Sequence, residues 1–183
     1  MLHLSTSRLN LIAATPGHVE AEVHDRAKLS RLLNAQVPDD WPPPLNDDKS
    51  MQWTLRYLRD NPDAIGWTMW YFILRDGPDG KPIAVGNGGF KGKPSTGGIV
   101  EVGYSIMENH QGNGYATEAV SVLIGWAFMH PEVNKIIVHT LPGLTASIRV
   151  VEKIGFSFVG KGSEEGTIRC ELFREAFEQD TSF

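Results

Sequence analysis

Residues 106–116 read Ile106-Met107-Glu108-Asn109-His110-Gln111-Gly112-Asn113-Gly114-Tyr115-Ala116, the end of an apolar strand, a glycine-bearing loop and the start of an amphipathic helix. Such a loop turns successive backbone amides outward at the positive end of a helix dipole, where they suit a pyrophosphate. Gly112 and Gly114 allow positive φ and close approach of a ligand to the main chain. Two other phosphate-binding patterns fail on the residues themselves. A Walker loop ends in G-K-[ST], whereas this loop runs Gly114-Tyr115-Ala116 with no lysine, which argues against a nucleotide-binding module. A dinucleotide fingerprint needs a third glycine where Thr117 stands.

The elements that must position this loop follow from hydrophobic spacing. Residues 8–12 alternate polar and apolar and predict a first strand; residues 16–33 predict a helix with Pro16 in its first turn. The proline-rich run 37–44 is irregular and tipped with Trp41, which either covers a site or plugs the core. A second helix begins at Asn46 or Asp47, buries Met51, Leu55 and Leu58, and ends near Asn61-Pro62. Strands are predicted at 67–74, 82–90 and 99–107, separated by a turn at 76–80 and a Gly/Pro loop at 91–98. From Gly114, the residues Ala116, Ala119, Val120, Leu123, Ala127 and Phe128 form one helical stripe that Pro131 terminates. Residues 136–138 read as a short central strand, 145–154 as a helix stopped by Gly155, and 156–159 and 168–173 as a closing strand pair. The fold class is therefore α/β with a mixed sheet, and 183 residues without repeats predict one domain over 1–183.

Composition narrows the function. Seventeen basic against 22 acidic residues give a net charge of −5, which argues against a nucleic-acid partner. The single cysteine, Cys170, excludes an intrachain disulfide. No secretory leader is read at Met1-Leu2-His3-Leu4, and the nearly apolar run 119–129 is too short to span a bilayer, so a cytoplasmic protein without a membrane partner is expected. No metal is expected either: His18 and His24 are six apart and off a common helical face, and no His/Cys/carboxylate set has ligand spacing. His110 adjoins the loop as a solvated turn residue, and Trp53, Tyr57, Trp67, Trp70 and Phe72 read as core aromatics.

The run Gln111-Gly112-Asn113-Gly114-Tyr115-Ala116 resembles the Q/R-x-x-G-x-G/A signature of the GNAT superfamily of acetyl-CoA-dependent N-acetyltransferases. The resemblance extends through Thr6-Ser7-Arg8-Leu9, Glu101-Val102-Gly103-Tyr104-Ser105-Ile106, Ala116-Thr117-Glu118-Ala119 and the block from Ala146 to Phe156, all similar to the branch that includes the ribosomal-protein N-terminal acetyltransferases. It implies a mostly antiparallel sheet, helices on both faces, and a fourth and fifth strand (here 99–107 and 136–138) that splay to admit the pantetheine arm. Ile106 and Met107 would then bond pantetheine through their backbones, and the amides from Gln111 to Ala116 would hold pyrophosphate. Asn113 stands where relatives often carry Lys or Arg, so one favourable charge is missing. Glu101 is the implied base, or else a strand glutamate paired with a neighbouring lysine. Val151 occupies the usual position of an acidic tyrosine, so Ser147 is the substitute acid, or else the cap of its helix. Leu144 replaces the asparagine that helps anchor pantetheine. Trp41, Phe90 and Tyr104 are the candidate acceptor-binding residues. The resemblance thus implies acetyl-CoA as co-substrate, a small-molecule or peptide amine as acceptor, and a homodimer as in many relatives. Leu144 and Val151 keep a second reading open, a catalytically weak acyl-CoA-binding domain.

Overall fold

A computed structural model describes residues 1–180. One eight-stranded sheet organises the chain, built from β1 (His3–Ser5), β2 (Leu9–Ala13), β3 (Met69–Leu74), β4 (Ile83–Phe90), β5 (Ile99–Ile106), β6 (Lys135–Thr140), β7 (Ser157–Lys161) and β8 (Ile168–Phe173). The spatial order is β1-β2-β3-β4-β5-β6-β8-β7. Every neighbouring pair is antiparallel except β5 and β6, which are parallel. A parallel pair needs a crossover, and α4 (Tyr115–Phe128) supplies it.

That parallel contact is short. It holds only Ile99 to Lys135, Val100 to Ile136 and Glu101 to Ile137. Beyond Glu101, β5 follows β4 from Val102 to Ile106, while β6 follows β8 to Thr140. The sheet opens into a wedge with Glu101 at its vertex.

Two apolar layers fix the wedge in place. Trp70, Phe72 and Leu74 of β3 join Val100 and Val102 of β5 in a core under α4 and α5 (Thr145–Ile154). Tyr71 and Ile73 face the opposite core, under α1 (Pro16–His24), α2 (Arg26–Leu33) and α3 (Asp48–Asp60). Because both faces are covered, five consecutive residues of β3 are buried, unlike a strand with one wet face. The stripe Ala119, Val120, Leu123, Ala127 and Phe128 is buried as its spacing predicts; Ala116 is only half-buried.

Boundaries differ from the sequence reading where local hydrogen bonds decide them. The predicted helix 16–33 breaks at Asp25, whose N–H bonds to the Ala21 carbonyl and whose carboxylate accepts from Lys28 N, ending α1 and capping α2. Three residues, His3–Ser5, add an edge strand too short to leave a periodic signal. A last helix, α6 (Arg174–Asp180), follows β8.

Trp41 plugs the core. It is 6% exposed, lies in the α1–α3 core and stacks on Tyr71 at 6.2 Å. Its indole donates to Glu22 Oε1 at 2.8 Å, and the Tyr71 hydroxyl donates to Glu22 Oε2 at 2.5 Å. As an acceptor-binding residue Trp41 is therefore corrected to a structural anchor. It ties down a strap that continues over the sheet, where Ser105 Oγ donates to the Pro44 carbonyl at 2.6 Å and Asn87 to the Asn46 side chain at 3.0 Å.

The anchor has a pH signature. Burial raises the Glu22 carboxyl above the ordinary 4.5, more than the Tyr71 and Trp41 hydrogen bonds lower it. The folded state therefore holds the proton more tightly than the unfolded chain, so stability falls as pH rises from 4.5 through the raised value. Glu22→Gln keeps the Trp41 bond to its oxygen, reverses the other so that its amide donates to the Tyr71 hydroxyl, and removes this titration. The melting-temperature difference between variant and wild type should grow in the variant's favour from pH 4 to pH 7. A difference that is flat with pH overturns the assignment.

Candidate active site

Carbonyls in the loop before α4 are drawn in one direction. Asn113 Nδ2 donates to the His110 and Gln111 carbonyls, both at 3.1 Å, and Arg8 Nη1 donates to the Asn113 carbonyl at 3.0 Å. Gly112 and Gly114 adopt φ of +77° and +80°. The amides of 112–116 consequently have no acceptor among the described residues, and Gly114 begins α4 with no side-chain cap. Nothing lies within 4 Å of a Cβ built at Gly112. These open amides at a helix N-terminus form the anion cradle the spacing predicts.

Arg8 is the residue that sequence reasoning missed. Its Nε and Nη2 grip Glu118 Oε2 at 2.7 and 2.6 Å, and its guanidinium lies 4.7 Å over the Tyr115 ring. Glu118 also accepts from Arg8 N, Ser7 Oγ and Thr6 Oγ1. Arg8 thus braces the loop from the approach to β2 by a fold contact across more than a hundred residues, with its charge balanced by Glu118. No spacing rule could reveal it.

Strand alternation decides which backbone groups face the wedge. The Glu101 carbonyl accepts from Lys91 N and Met107 N donates to the Val85 carbonyl, both at 2.9 Å. Odd-numbered residues of β5 therefore bond β4, and the main-chain groups of Val102, Tyr104 and Ile106 point toward β6. Ile106 suits the predicted backbone role, although its carbonyl also accepts Gln111 Nε2 at 3.0 Å. Met107 does not. Its N–H is held by Val85, its carbonyl accepts from His110 N at 2.8 Å, and its side chain is buried. The main-chain groups of Tyr104, two residues before Ile106, face the wedge instead.

On the α4–α5 side, the Tyr104 hydroxyl lies 3.1 Å from Ser147 Oγ and 3.2 Å from the Ser147 carbonyl. Leu144, not Ser147, occupies the cap position of α5, and it makes no side-chain capping bond. Ser147 therefore faces the wedge wall rather than capping. Leu144 is exposed and offers no polar group, while Val151 is fully buried in the core. Burial raises the Tyr104 phenol above 10.0, the Ser147 bond opposes it, and Cys170 adds to the rise, so Tyr104 keeps its proton at neutral pH.

Glu101 lies on the opposite face. Lys91 Nζ and His139 Nδ1 both contact its Oε1, at 2.5 and 3.0 Å. Burial raises its carboxyl, but the Lys91 and His139 hydrogen bonds and their charges together bring it below 4.5. A depression of about 340 Å³ beside it is lined by Lys91, Lys93, Ser95, Glu101, Ile137 and Arg169. His139 was not legible as a site residue. It joins Glu101 only because the parallel register sets Glu101 beside Ile137, two residues away on the same face. Phe90 is corrected: it packs against Trp67 at 5.5 Å and Trp126 at 5.9 Å in the core and does not line the depression.

A strand-edge wedge, an amide cradle at a helix N-terminus and a carboxylate at the vertex together define an acyl-CoA-dependent transferase. Residues 8–157 match the family described as Acetyltransferase (GNAT) domain, and the chain belongs to that family. It is 26% identical over 166 residues to the uncharacterized N-acetyltransferase YjdG of Bacillus subtilis (strain 168), covering 90% of this chain and 95% of that protein. Its fold is shared with RimL, a ribosomal L7/L12 α-N-protein acetyltransferase solved in complex with coenzyme A (TM-score 0.65, 18% identity, 96% and 99% of the two chains). An acetyltransferase from Agrobacterium tumefaciens str. C58 shares it too (TM-score 0.62, 21% identity, 94% of each chain). The chain is thus an acetyl-CoA-dependent N-acetyltransferase. Among the described residues no cluster could hold a metal ion, and no helix is long and apolar enough to cross a membrane.

Proposed function

We propose that the chain moves the acetyl group of acetyl-CoA directly to a primary amine, with Glu101 and the Tyr104–Ser147 pair on opposite sides of the reacting centre. The observation that carries this reading is the wedge itself: open amides beyond one end, Glu101 at its vertex, and strand-edge groups between. Pantetheine lies along Tyr104 and Ile106, and the diphosphate sits on the amides from Gly112 to Ala116, with Gln111, Asn113 and Arg8 holding the loop. A main-chain N–H of β5 facing the wedge supports the oxyanion as the amine adds to the thioester.

Proton economy sets the order of events. An alkylammonium has a pKa near 10.4, so only about one molecule in a thousand is neutral at pH 7.4. Glu101 lies below 4.5, and taking the proton from the free ammonium would cost at least about 8 kcal/mol. The neutral amine therefore attacks first, and Glu101 Oε2 receives the proton as the N–C bond makes the nitrogen acidic. The C–S bond then breaks, and the thiolate is protonated from the Tyr104 hydroxyl, which Ser147 orients; the Tyr104 phenolate takes a proton back from solvent and Glu101 releases the one it received, which returns the enzyme to its starting state. RimL acts on a ribosomal-protein N-terminus; for this chain the acceptor is an N-terminal or small-molecule amine.

Thiol release from acetyl-CoA against a panel of amines, with the acetylated product identified by mass, tests the reading. Turnover requiring both substrates is the expected result. Tight coenzyme A binding without turnover on any amine would leave an acyl-CoA-binding domain, the reading that Leu144 and Val151 favour.

A further inference from the structure

The depression beside Glu101 is basic although the chain carries −5 overall. Three cations line it, Lys91, Lys93 and Arg169, against one carboxylate, Glu101. Lys91 is committed to Glu101 at 2.5 Å. Among the described residues Lys93 pairs with Asp63, whose side chain is 72% exposed and so screened by solvent. Arg169 Nη2 contacts Glu171 Oε1 at 2.5 Å, but Glu171 also serves Lys135 at 3.0 Å, so one carboxylate faces two cations. Counting these partners, four cations (Lys91, Lys93, Lys135, Arg169) stand against three carboxylates (Asp63, Glu101, Glu171), a local excess of one positive charge.

An independent observation points the same way. Arg169 Nε is buried with no hydrogen-bond partner, as is His139 Nε2. A buried donor left open among the described residues is costly and shows that Glu171 does not fully satisfy this guanidinium; an anion in the depression would meet the accessible part of the Arg169 side chain rather than the enclosed Nε. Arg169 pairs with His139 across β6 and β8, two residue pairs beyond the Ile137–Glu171 pair that lies level with Glu101 and so on the same face, and Arg169 and Glu101 line the same depression. A second ammonium on the acceptor would meet these cations, and an uncharged tail would leave them unused.

Resting on the acetyl-transfer reading above, we propose that the acceptor is a small amine bearing its own anionic group, a carboxylate or phosphate a few bonds from the nitrogen. The nitrogen meets Glu101 Oε2, and Arg169 and Lys93 receive the anion. The group transferred and the proton balance are those already given.

Matched acceptors test this. For acetyl-CoA-dependent thiol release we compare an α-amino acid with its primary amide, phosphoethanolamine with ethanolamine, and spermidine alone. The first two pairs distinguish a carboxylate from a phosphate as the anion. The expected result is a kcat/KM at least tenfold higher for the anionic member of one pair or both, with spermidine poorest. Arg169→Met and Lys93→Met should each bring that ratio toward one, chiefly through KM, while coenzyme A affinity by calorimetry reports that the fold is intact. If Arg169→Met loses coenzyme A binding, Lys93→Met and the wild-type ratio decide. Equal or better turnover of ethanolamine, the amide or spermidine overturns the anionic acceptor and leaves N-acetyl transfer standing. Absence of turnover on every amine overturns both.

Discussion

Glu101→Gln lowers kcat by about 10²- to 10⁴-fold with coenzyme A affinity nearly unchanged, the range for removing a positioned proton acceptor. Gln keeps an oxygen for Lys91 Nζ, so the vertex of the wedge stays in place and the loss falls on proton transfer. The pH dependence separates this from a structural role. In the wild type, burial acting alone would raise the Glu101 carboxyl, and Lys91 and His139 reverse that, so it is held below the ordinary carboxylate value and ionised at neutral pH. Its protonation therefore appears as an acid limb in kcat displaced to lower pH than an ordinary carboxyl would give, while kcat/KM climbs with pH toward the acceptor's own amine pKa. In Glu101→Gln the acid limb disappears and the climb remains. Stability moves separately: a lowered carboxyl contributes above its unfolded value and is lost as pH falls through the folded one. Unaltered kcat together with an unaltered acid limb would remove Glu101 from the chemistry.

Such a prediction could be framed from the sequence because some of the site is local. Gln111 to Ala116 is one contiguous turn, so its glycines and the helix stripe behind it announce an amide cradle. Alternation alone puts Glu101 opposite Val102 and Tyr104. What alternation cannot supply is the side of the strand on which main-chain groups lie, because that depends on the pairing of β5 with β4. Met107 is therefore expected at the wedge from the sequence, whereas the pairing turns the main-chain groups of Tyr104 and Ile106 toward it. His139 and Arg169 become neighbours of Glu101 through one parallel and one antiparallel register, and Arg8 reaches Asn113 across 105 residues. These are products of topology, which a linear pattern does not carry. Trp41 shows the converse limit. Its proline-rich context fits a cover or a core plug equally in sequence, and only the buried carboxylate of Glu22 beneath it decides for the plug.

Replacing both loop glycines, Gly112→Ala with Gly114→Ala, weakens coenzyme A binding by roughly 30- to 1,000-fold. Each position lies at φ near +80°, where a residue with a Cβ costs about 1–2 kcal/mol, so the pair costs about 2–4 kcal/mol. Where that cost appears follows from the surroundings. A Cβ at Gly112 meets no atom within 4 Å, and one at Gly114 meets only Arg8 Nη2 at 3.5 Å, so packing does not hold the strained conformation. The free protein relaxes toward negative φ, turning the amides of 112–116 away from their common direction at little cost in melting temperature. Binding must then restore the strained loop, and the energy is taken from affinity. Calorimetry should show the weakening for coenzyme A and not for a pantetheine fragment without the diphosphate, since that fragment needs only the β5 edge at Tyr104 and Ile106. Equal losses for both ligands would mean that the wedge, not the cradle, had been disturbed. No loss for either would mean that the diphosphate is held somewhere other than the head of α4.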